Sequence, residues 1–300
     1  MYMDHSIQII EQKDFASHPL FARLLELHSP PKQLYIMGTL PEITLDEYGR
    51  ATPRILTVVG SRKNTLYGKQ ALTMLINSLQ DEEVIILSGL AYGIDALAHT
   101  LALKNNLCTI AVPGSGLSES VLYPSAHKVL AKDIVGYDGL LISELPPETT
   151  ASPWTFPSRN RIMAALCDAL LVVEAEEKSG TLVTARQALE LGRDIGAIPG
   201  DIFSPTSVGT NTLIHDGAYS ISTEEQLFSL LHITKENSTK ATREYLGNEK
   251  IIMDILREPM EKEILFERTK LSFEDFLSAF SSLEIKGEIN ETFGEVRRLV

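Results

Sequence analysis

From Ile55 onward the chain alternates short apolar, β-branched runs with amphipathic stretches of about 10–15 residues. The runs ILTVVG (55–60), VIILSG (84–89), CTIAVPG (108–114), GLLISEL (139–145), DALLVVEA (168–175) and DIGAIPG (194–200) read as strands. Between them, TLYGKQALTMLINSLQ, GIDALAHTLALKNN, HKVLAKDIV, RNRIMAALC and TLVTARQALELG read as helices. Strands that are apolar on both faces and separated by helices belong to a mostly parallel sheet covered on both sides. The predicted fold class is therefore α/β, an extended Rossmann-like, doubly wound domain over 51–231. Residues 1–50 hold two weak helical segments and a strand candidate, QLYIMG, read as an N-terminal elaboration of that core. Residues 232–247 are polar and without apolar periodicity, which predicts a linker. Over 248–300 three helical patterns, KIIMDILRE, KEILFERTK and FEDFLSAFSSLEIKG, precede EINETFGEVRRLV, whose central Gly294 suits a hairpin. Three helices and a hairpin predict a small winged-helix domain.

In doubly wound sheets ligands bind at the carboxyl ends of the strands, where Gly-rich turns open helices. After the first strand, Gly60, Ser61, Arg62 and Lys63 stand where the start of the next helix meets an anion, and Arg62 adds a planar donor fork. The plain alternative is a strand-to-helix turn with a solvated Arg62. In SGLAYGIDALAH, Gly89 and Gly93 bracket a turn that holds Tyr92, and Asp95 and His99 lie one helical turn apart. That pair reads as acid–base chemistry, half a metal site, or a buried hydrogen-bonded histidine, the last being the favoured reading. FPSRNRIMAAL places Phe156, Arg159, Asn160 and Arg161 immediately before a helix. A ring for a base, guanidiniums for phosphates and an amide for a base edge are what a single-strand site combines. Alternatively, Phe156 is core and Arg161 pairs with Glu144 or Glu174. Ser179, Gly180 and Thr181 open a further helix behind three glutamates, and Gly209, Thr210 and Asn211 repeat the arrangement. The short helix 224–231, apolar at Leu227, Phe228, Leu230 and Leu231, either docks a second copy or another protein, or closes the core.

Composition narrows the chemistry. The net charge of -13 excludes an indiscriminate nucleic-acid binder, so any DNA site must be local. The segments 1–50, 51–231 and 232–300 hold 4, 12 and 11 basic residues against 7, 19 and 14 acidic ones, so none is basic. Cys108 and Cys167 lie in apolar surroundings without CxxC spacing, as buried thiols do; no metal site or cofactor is expected. No apolar run reaches the ~18 residues of a membrane span, and the start lacks a basic signal sequence, so the cytoplasm is the expected compartment. GxGxxG after the first strand, GxxxxGK[ST] and GxSxG are all missing, which argues against a dinucleotide enzyme, a P-loop NTPase and an α/β-hydrolase.

Read in order, VVGSR (58–62), SGLAYGIDALAH (88–99), Tyr123–Pro124, SEL (143–145), FPSRNRIMAAL (156–166), VVEAEEKSGTLVTA (172–185), AIPG (197–200) and GTNTLIHDGA (209–218) resemble the DNA-processing protein A (DprA/Smf) family. The resemblance covers roughly residues 30–231. It implies a non-enzymatic, homodimeric protein that binds single-stranded DNA and hands it to the recombinase RecA in natural transformation. Carried over by motif, Arg62 would meet phosphate and Phe156 a base, with the 156–161 segment lining the pocket and the SGT and GTN turns completing its wall. Tyr92 stands where many relatives carry Lys or Arg. The third C-terminal helix begins with Glu274 and Asp275, so that domain is expected to bind protein, or nothing, before duplex DNA. Two other classes remain in play. One is a nucleoside-monophosphate phosphoribohydrolase of similar fold, whose PGGxGTxxE motif is here replaced by EEKSGTLVTA, without its glutamate. The other is a nucleotide-sensing interaction protein.

Overall fold

The computed structural model describes residues 6–45, 49–234, 245, 247–292 and 294–298. The chain forms two compact units, Met1–Thr234 and Lys235–Val300. Most of the linker expected over 232–247 lies outside the described residues.

The larger unit opens with β1 (Gln8–Glu11), a helical turn α1 (Pro19–Ala22) and β2 (Gln33–Gly38), followed by the two-residue strands β3 (Thr44–Leu45) and β4 (Ala51–Thr52). The alternating region then gives β5 (Arg54–Val59), α2 (Leu66–Asn77), β6 (Val84–Ser88), α3 (Ile94–Lys104), β7 (Thr109–Ala111), α4 (Lys128–Gly136) and β8 (Leu140–Ser143). It continues with α5 (Thr155–Leu166), β9 (Ala169–Val172), α6 (Gly180–Glu190), β10 (Asp194–Ala197), α7 (Val208–His215), β11 (Tyr219–Ser220) and α8 (Glu224–Leu230). Nine strands form one sheet in the order β1-β2-β8-β7-β6-β5-β9-β10-β11. From β8 to β11 all neighbours are parallel, while β2 runs antiparallel to both β1 and β8. The elaboration of residues 1–50 thus extends the main sheet by two strands.

The alternation of β5 shows why this region reads as continuously apolar. Ile55 and Val59 enter the layer with α5 and α6, and Leu56 and Val58 enter the opposite layer with α2 and α3. Both faces are covered, so both parities are hydrophobic. From β5 the chain winds outward through β6, β7 and β8, then returns to β9 on the other side of β5. The crevice outside the carboxyl ends of β5 and β9 is therefore the topological switch point. At the opposite end of these strands, Asp168 accepts from Arg23 (2.8 Å), Arg54 (3.4 Å) and the Ile55 amide (2.7 Å), tying the N-terminal segment to β5.

Helix α8 begins with a capping box between Thr223 and Gln226. Its Leu227, Phe228 and Leu230 are buried with Leu231 in the layer of α2 and α3. Of the two readings open for this helix, core closure is the one the structure has, and these side chains offer no docking face.

The smaller unit runs α9 (Gly247–Ile255), β12 (Met260–Glu261), α10 (Lys262–Thr269), α11 (Phe273–Ile285), β13 (Ile289–Thr292) and β14 (Glu295–Arg298), with the antiparallel sheet β12-β14-β13. Ile252, Leu265, Phe276, Phe280, Leu283 and Val296 share its core. Strand β12 carries no sequence signal, because two residues are too few to show a period of two. Gly294, at φ +83°, forms the hairpin turn as expected.

Phe228→Ala removes a buried ring and is expected to cost about 3–5 kcal/mol of stability in a urea titration. A variant as stable as the parent would return Phe228 to a surface role.

Candidate functional site

The switch point opens into a cavity of about 480 Å³. Its lining comes from the β5–α2 loop (Gly60, Ser61, Arg62, Lys63), the first turns of α5 and the start of α6. The β5–α2 loop is fixed from behind by α3. The Ile94 amide donates to Ser61 O at 3.1 Å. Gly93, at φ +77°, passes so close that a Cβ there would stand 2.2 Å from the same oxygen. No side chain fits at that position.

The structure changes the expected role of the α2 start. The carboxylate of Glu174, beyond the end of β9, accepts from the Thr65 amide (2.9 Å), the Thr65 hydroxyl (2.6 Å) and the Thr206 hydroxyl (3.3 Å). Glu174 is 2% exposed, so a protein anion already occupies the entry to α2. A ligand anion in the crevice is left with Arg62, Lys63 and the start of α6. There Ser179 caps the helix by accepting from the Thr181 amide at 3.1 Å, and beyond its chain neighbours and its own helix backbone no described atom lies within 4 Å of where a Gly180 Cβ would sit.

FPSRNR lies inside a helix, a correction to the placement before one. Helix α5 starts at Thr155, and Pro157 is tolerated because amides of a first turn have no intrahelical acceptor. Helical spacing then sorts the segment. Phe156, Arg159, Asn160 and Met163, at i, i+3, i+4 and i+7, share the cavity face. Arg161, at i+5, faces away, pairing with Glu144 at 2.5 Å and donating to Ser29 O at 2.8 Å. The Phe156 ring rests against Gly114, where a Cβ would meet it at 2.6 Å. Tyr123 lies beside it at a centroid distance of 5.8 Å, and the Arg62 guanidinium lies over it at 5.0 Å.

Arg159 is buried. Its Nη1 donates to the carbonyl of Gly89 at 2.5 Å and to that of Val112, and its Nε donates to Asn160 Oδ1 at 3.1 Å. A Cβ on Gly89 would fall 1.8 Å from Nη1, so glycine is required there for close approach. Burial lowers the Arg159 pKa to about 10, against the pull of Asp95. Asp95, also buried, is held above the ordinary carboxylate range by desolvation, against the attraction of Arg159, while its Oδ2 accepts from the Ala91 amide at 3.3 Å. His99, one turn along α3, is fully buried with Nδ1 on Thr109 Oγ1 at 2.7 Å. Thr109 itself donates to Ile86 O, so Nδ1–H is the His99 donor. Burial, reinforced by His127 and Arg159, drives the imidazole down to about 3. The Asp95–His99 spacing thus belongs to a buried, neutral histidine.

The cavity brings together Gly60, Ser61, Arg62, Lys63, Phe156, Arg159, Asn160, Ser179, Gly180 and Thr181. Gly89 and Gly93 back it, and Tyr92 stands outside it. The GTN turn is not in its lining: Asn211 binds both the amide and the carbonyl of Gly200 (3.2 and 3.0 Å), Thr210 bonds Ser207 O, and the Gly209 amide donates to Ala175 O. Asp95, Ala91, Pro153 and Glu176 line it without having been singled out as binding residues. Their signal was only that they flank the turns. Among the described residues no three His, Cys, Asp or Glu gather as a metal site, and no helix is long and apolar enough to cross a membrane.

His99 gives a pH prediction. Its folded pKa of about 3 lies below the ordinary 6.5, so between these values the unfolded chain binds the extra proton and stability falls as pH falls. Urea titrations from pH 6.5 to pH 4 are expected to show wild type losing up to about 1.4 kcal/mol per pH unit more than His99→Gln. Parallel losses would place the acid sensitivity elsewhere.

The sequence profile of the family described as DNA recombination-mediator protein A matches residues 7–232. DNA processing protein DprA of Bacillus subtilis is 39% identical over 208 residues, covering 69% of this chain and 67% of the relative. That of Streptococcus pneumoniae is 37% identical over 240 residues, covering 76% and 81%. The X-ray structure of the S. pneumoniae protein superposes with a TM-score of 0.65 over 75% of this chain and 74% of that one. A structure describing the unique single-stranded DNA binding mode of DNA processing protein A from Helicobacter pylori superposes with a TM-score of 0.62 at 27% identity, over 77% and 97%. Residues 7–232, matched by the family profile, contain the whole switch-point cavity, and the chain belongs to the DNA recombination-mediator protein A family.

Proposed function

We propose that the switch-point cavity binds single-stranded DNA and that the protein acts by holding that strand, without chemistry, for delivery to the recombinase RecA in natural transformation. The observation that carries this reading is the stacked pair of Arg62 over Phe156 at the mouth of the cavity. Gly114 packs against the Cδ1–Cε1 side of the ring, and the guanidinium lies over the ring. A base therefore stacks on the guanidinium plane, or takes its place as Arg62 swings to the adjacent phosphate; both are modes of sequence-tolerant single-strand binding. Lys63 and the start of α6 supply further positive ends.

A duplex keeps its bases stacked on one another and offers none to the ring, so preference for single strands follows. Of the two carboxylates in the cavity lining, Asp95 and Glu176, only Glu176 is exposed, and a single exposed carboxylate favours a binding role over catalysis. Glu174 is fully engaged in capping α2, and Asp95 is spent on its own turn and on the field of Arg159. We further propose that the working form is a homodimer in the cytoplasm, as the family resemblance implies, with a surface other than the α8 side chains. The smaller unit is proposed as a winged helix that binds protein before duplex DNA, since α11 presents Glu274 and Asp275 in its first turn and Phe273 at 67% exposure beside them.

Titration of single-stranded and duplex oligonucleotides across salt tests the site. Single strands are expected to bind more tightly, with log affinity falling by about 0.7 per decade of salt for each neutralised phosphate. Arg62→Ala is expected to lower that slope by about 0.7. Phe156→Ala is expected to weaken binding by about 1–3 kcal/mol at unchanged slope and unchanged melting temperature. Equal duplex binding, or indifference to salt, would overturn the reading. Release of adenine on incubation with AMP would favour the phosphoribohydrolase class instead.

A further inference from the structure

Beside the cavity, on the β6–β7 side, the structure carries aromatic side chains that the Arg62–Phe156 site does not use. Tyr123 is 40% exposed and Tyr92 is 43% exposed, and both sit on fixed backbone. The Tyr123 amide donates to the buried Ser115 hydroxyl at 3.1 Å. Tyr92 follows Ala91, which lines the cavity and whose amide is held by Asp95. Ahead of it Leu90 is fully buried with φ +58°, and the Leu90 carbonyl is bound by His127 Nδ1 at 2.7 Å. The His127 ring in turn packs edge-on against Tyr92 at 5.0 Å. Rings presented on a fixed backbone lose little freedom when a flat ligand stacks on them.

We propose that Tyr123 and the Tyr92–His127 pair form a second stacking stretch over which a single strand leaves the cavity. The proposal rests on reading the cavity as a single-strand site. Continuity carries it: Tyr123 touches Phe156, inside the cavity, and Tyr92 adjoins its wall. Charge selects this direction over the opposite one. On the β9–β10 side the loops expose Glu176, Glu177 and Asp201, which repel phosphate, against Lys178 alone. On the β6–β7 side Lys128 follows His127 and Lys132 pairs with Glu119 at 2.7 Å, so these two lysines balance Glu119 and Glu148, the latter a carboxylate that accepts from the Ser120 hydroxyl at 2.9 Å and keeps its charge. Here stacking does the work that added phosphate contacts would do in a more basic chain.

Fluorescence anisotropy with oligothymidylates of about 4 to about 20 nucleotides separates the two stretches. The doubly substituted Tyr92→Ser/Tyr123→Ser protein is expected to bind the shortest oligonucleotides as wild type does, and the longest about tenfold more weakly. Tyr92→Phe/Tyr123→Phe, which keeps the rings, is expected to follow wild type at every length. The proposal is overturned if the serine variant follows wild type throughout, a result that would leave these rings to a protein partner, or if the phenylalanine variant is as weak as the serine one. Arg62→Ala in the same series reports on the cavity alone. If Arg62→Ala binds the shortest oligonucleotides as wild type does, the cavity reading fails first and this inference falls with it.

Discussion

Arg159 reaches from α5 to the carbonyls at the ends of β6 and β7 and so holds a helix across the carboxyl edge of the sheet. A guanidinium out of water is tolerated only when its donors are met and its charge is balanced. Two carbonyls, the Asn160 amide oxygen and the field of Asp95 supply that balance. The rest of the site follows from this contact. Gly89 must be glycine for the side chain to pass. The phase of α5 is set, which turns Phe156 and Asn160 to the cavity and Arg161 away from it. Asp95 is drawn into the interior at the start of α3, where its bond to the Ala91 amide fixes the turn that presents Tyr92.

The site also shows how an acidic chain, with a net charge of -13, can offer a place to an anionic polymer. Neutralisation is spent locally. Glu174 closes the α2 terminus from within and Arg159 is consumed by the architecture, so the exposed positive groups left at the cavity are few: Arg62 and Lys63, with the exposed Lys178 in the loop before α6. A site with few charges gains most of its affinity from flat surfaces, and the Phe156 ring under Arg62 is one. The neutral, buried His99 belongs to the same economy, because a second cation beside Arg159 would raise the cost of burying the first.

Much of this was legible in the sequence. The two-faced apolar strands and their helical spacers specify a doubly wound sheet, since only a parallel sheet covered on both sides makes both parities of a strand hydrophobic. Gly-rich turns mark the carboxyl edge, and eight motifs in register point to the family. Thr65, Ser179 and Thr223 head α2, α6 and α8 because hydroxyl caps are a local signal.

What only the tertiary structure decided is how side chains distant in sequence divide the polar work. Glu174 reads as one of three glutamates near a turn, yet it caps a helix that begins more than a hundred residues earlier. Arg159 and Arg161 are indistinguishable in sequence. The start of α5 at Thr155 sends one to the strand carbonyls and the other to Glu144. The apolar sides of α8 did not reveal whether their cover was the core or a partner, and the packing of Phe228 against its own domain settled it. Local signals fix the elements because capping and periodicity act within a few residues. The use of each charge is fixed by burial, which exists only once the elements have packed.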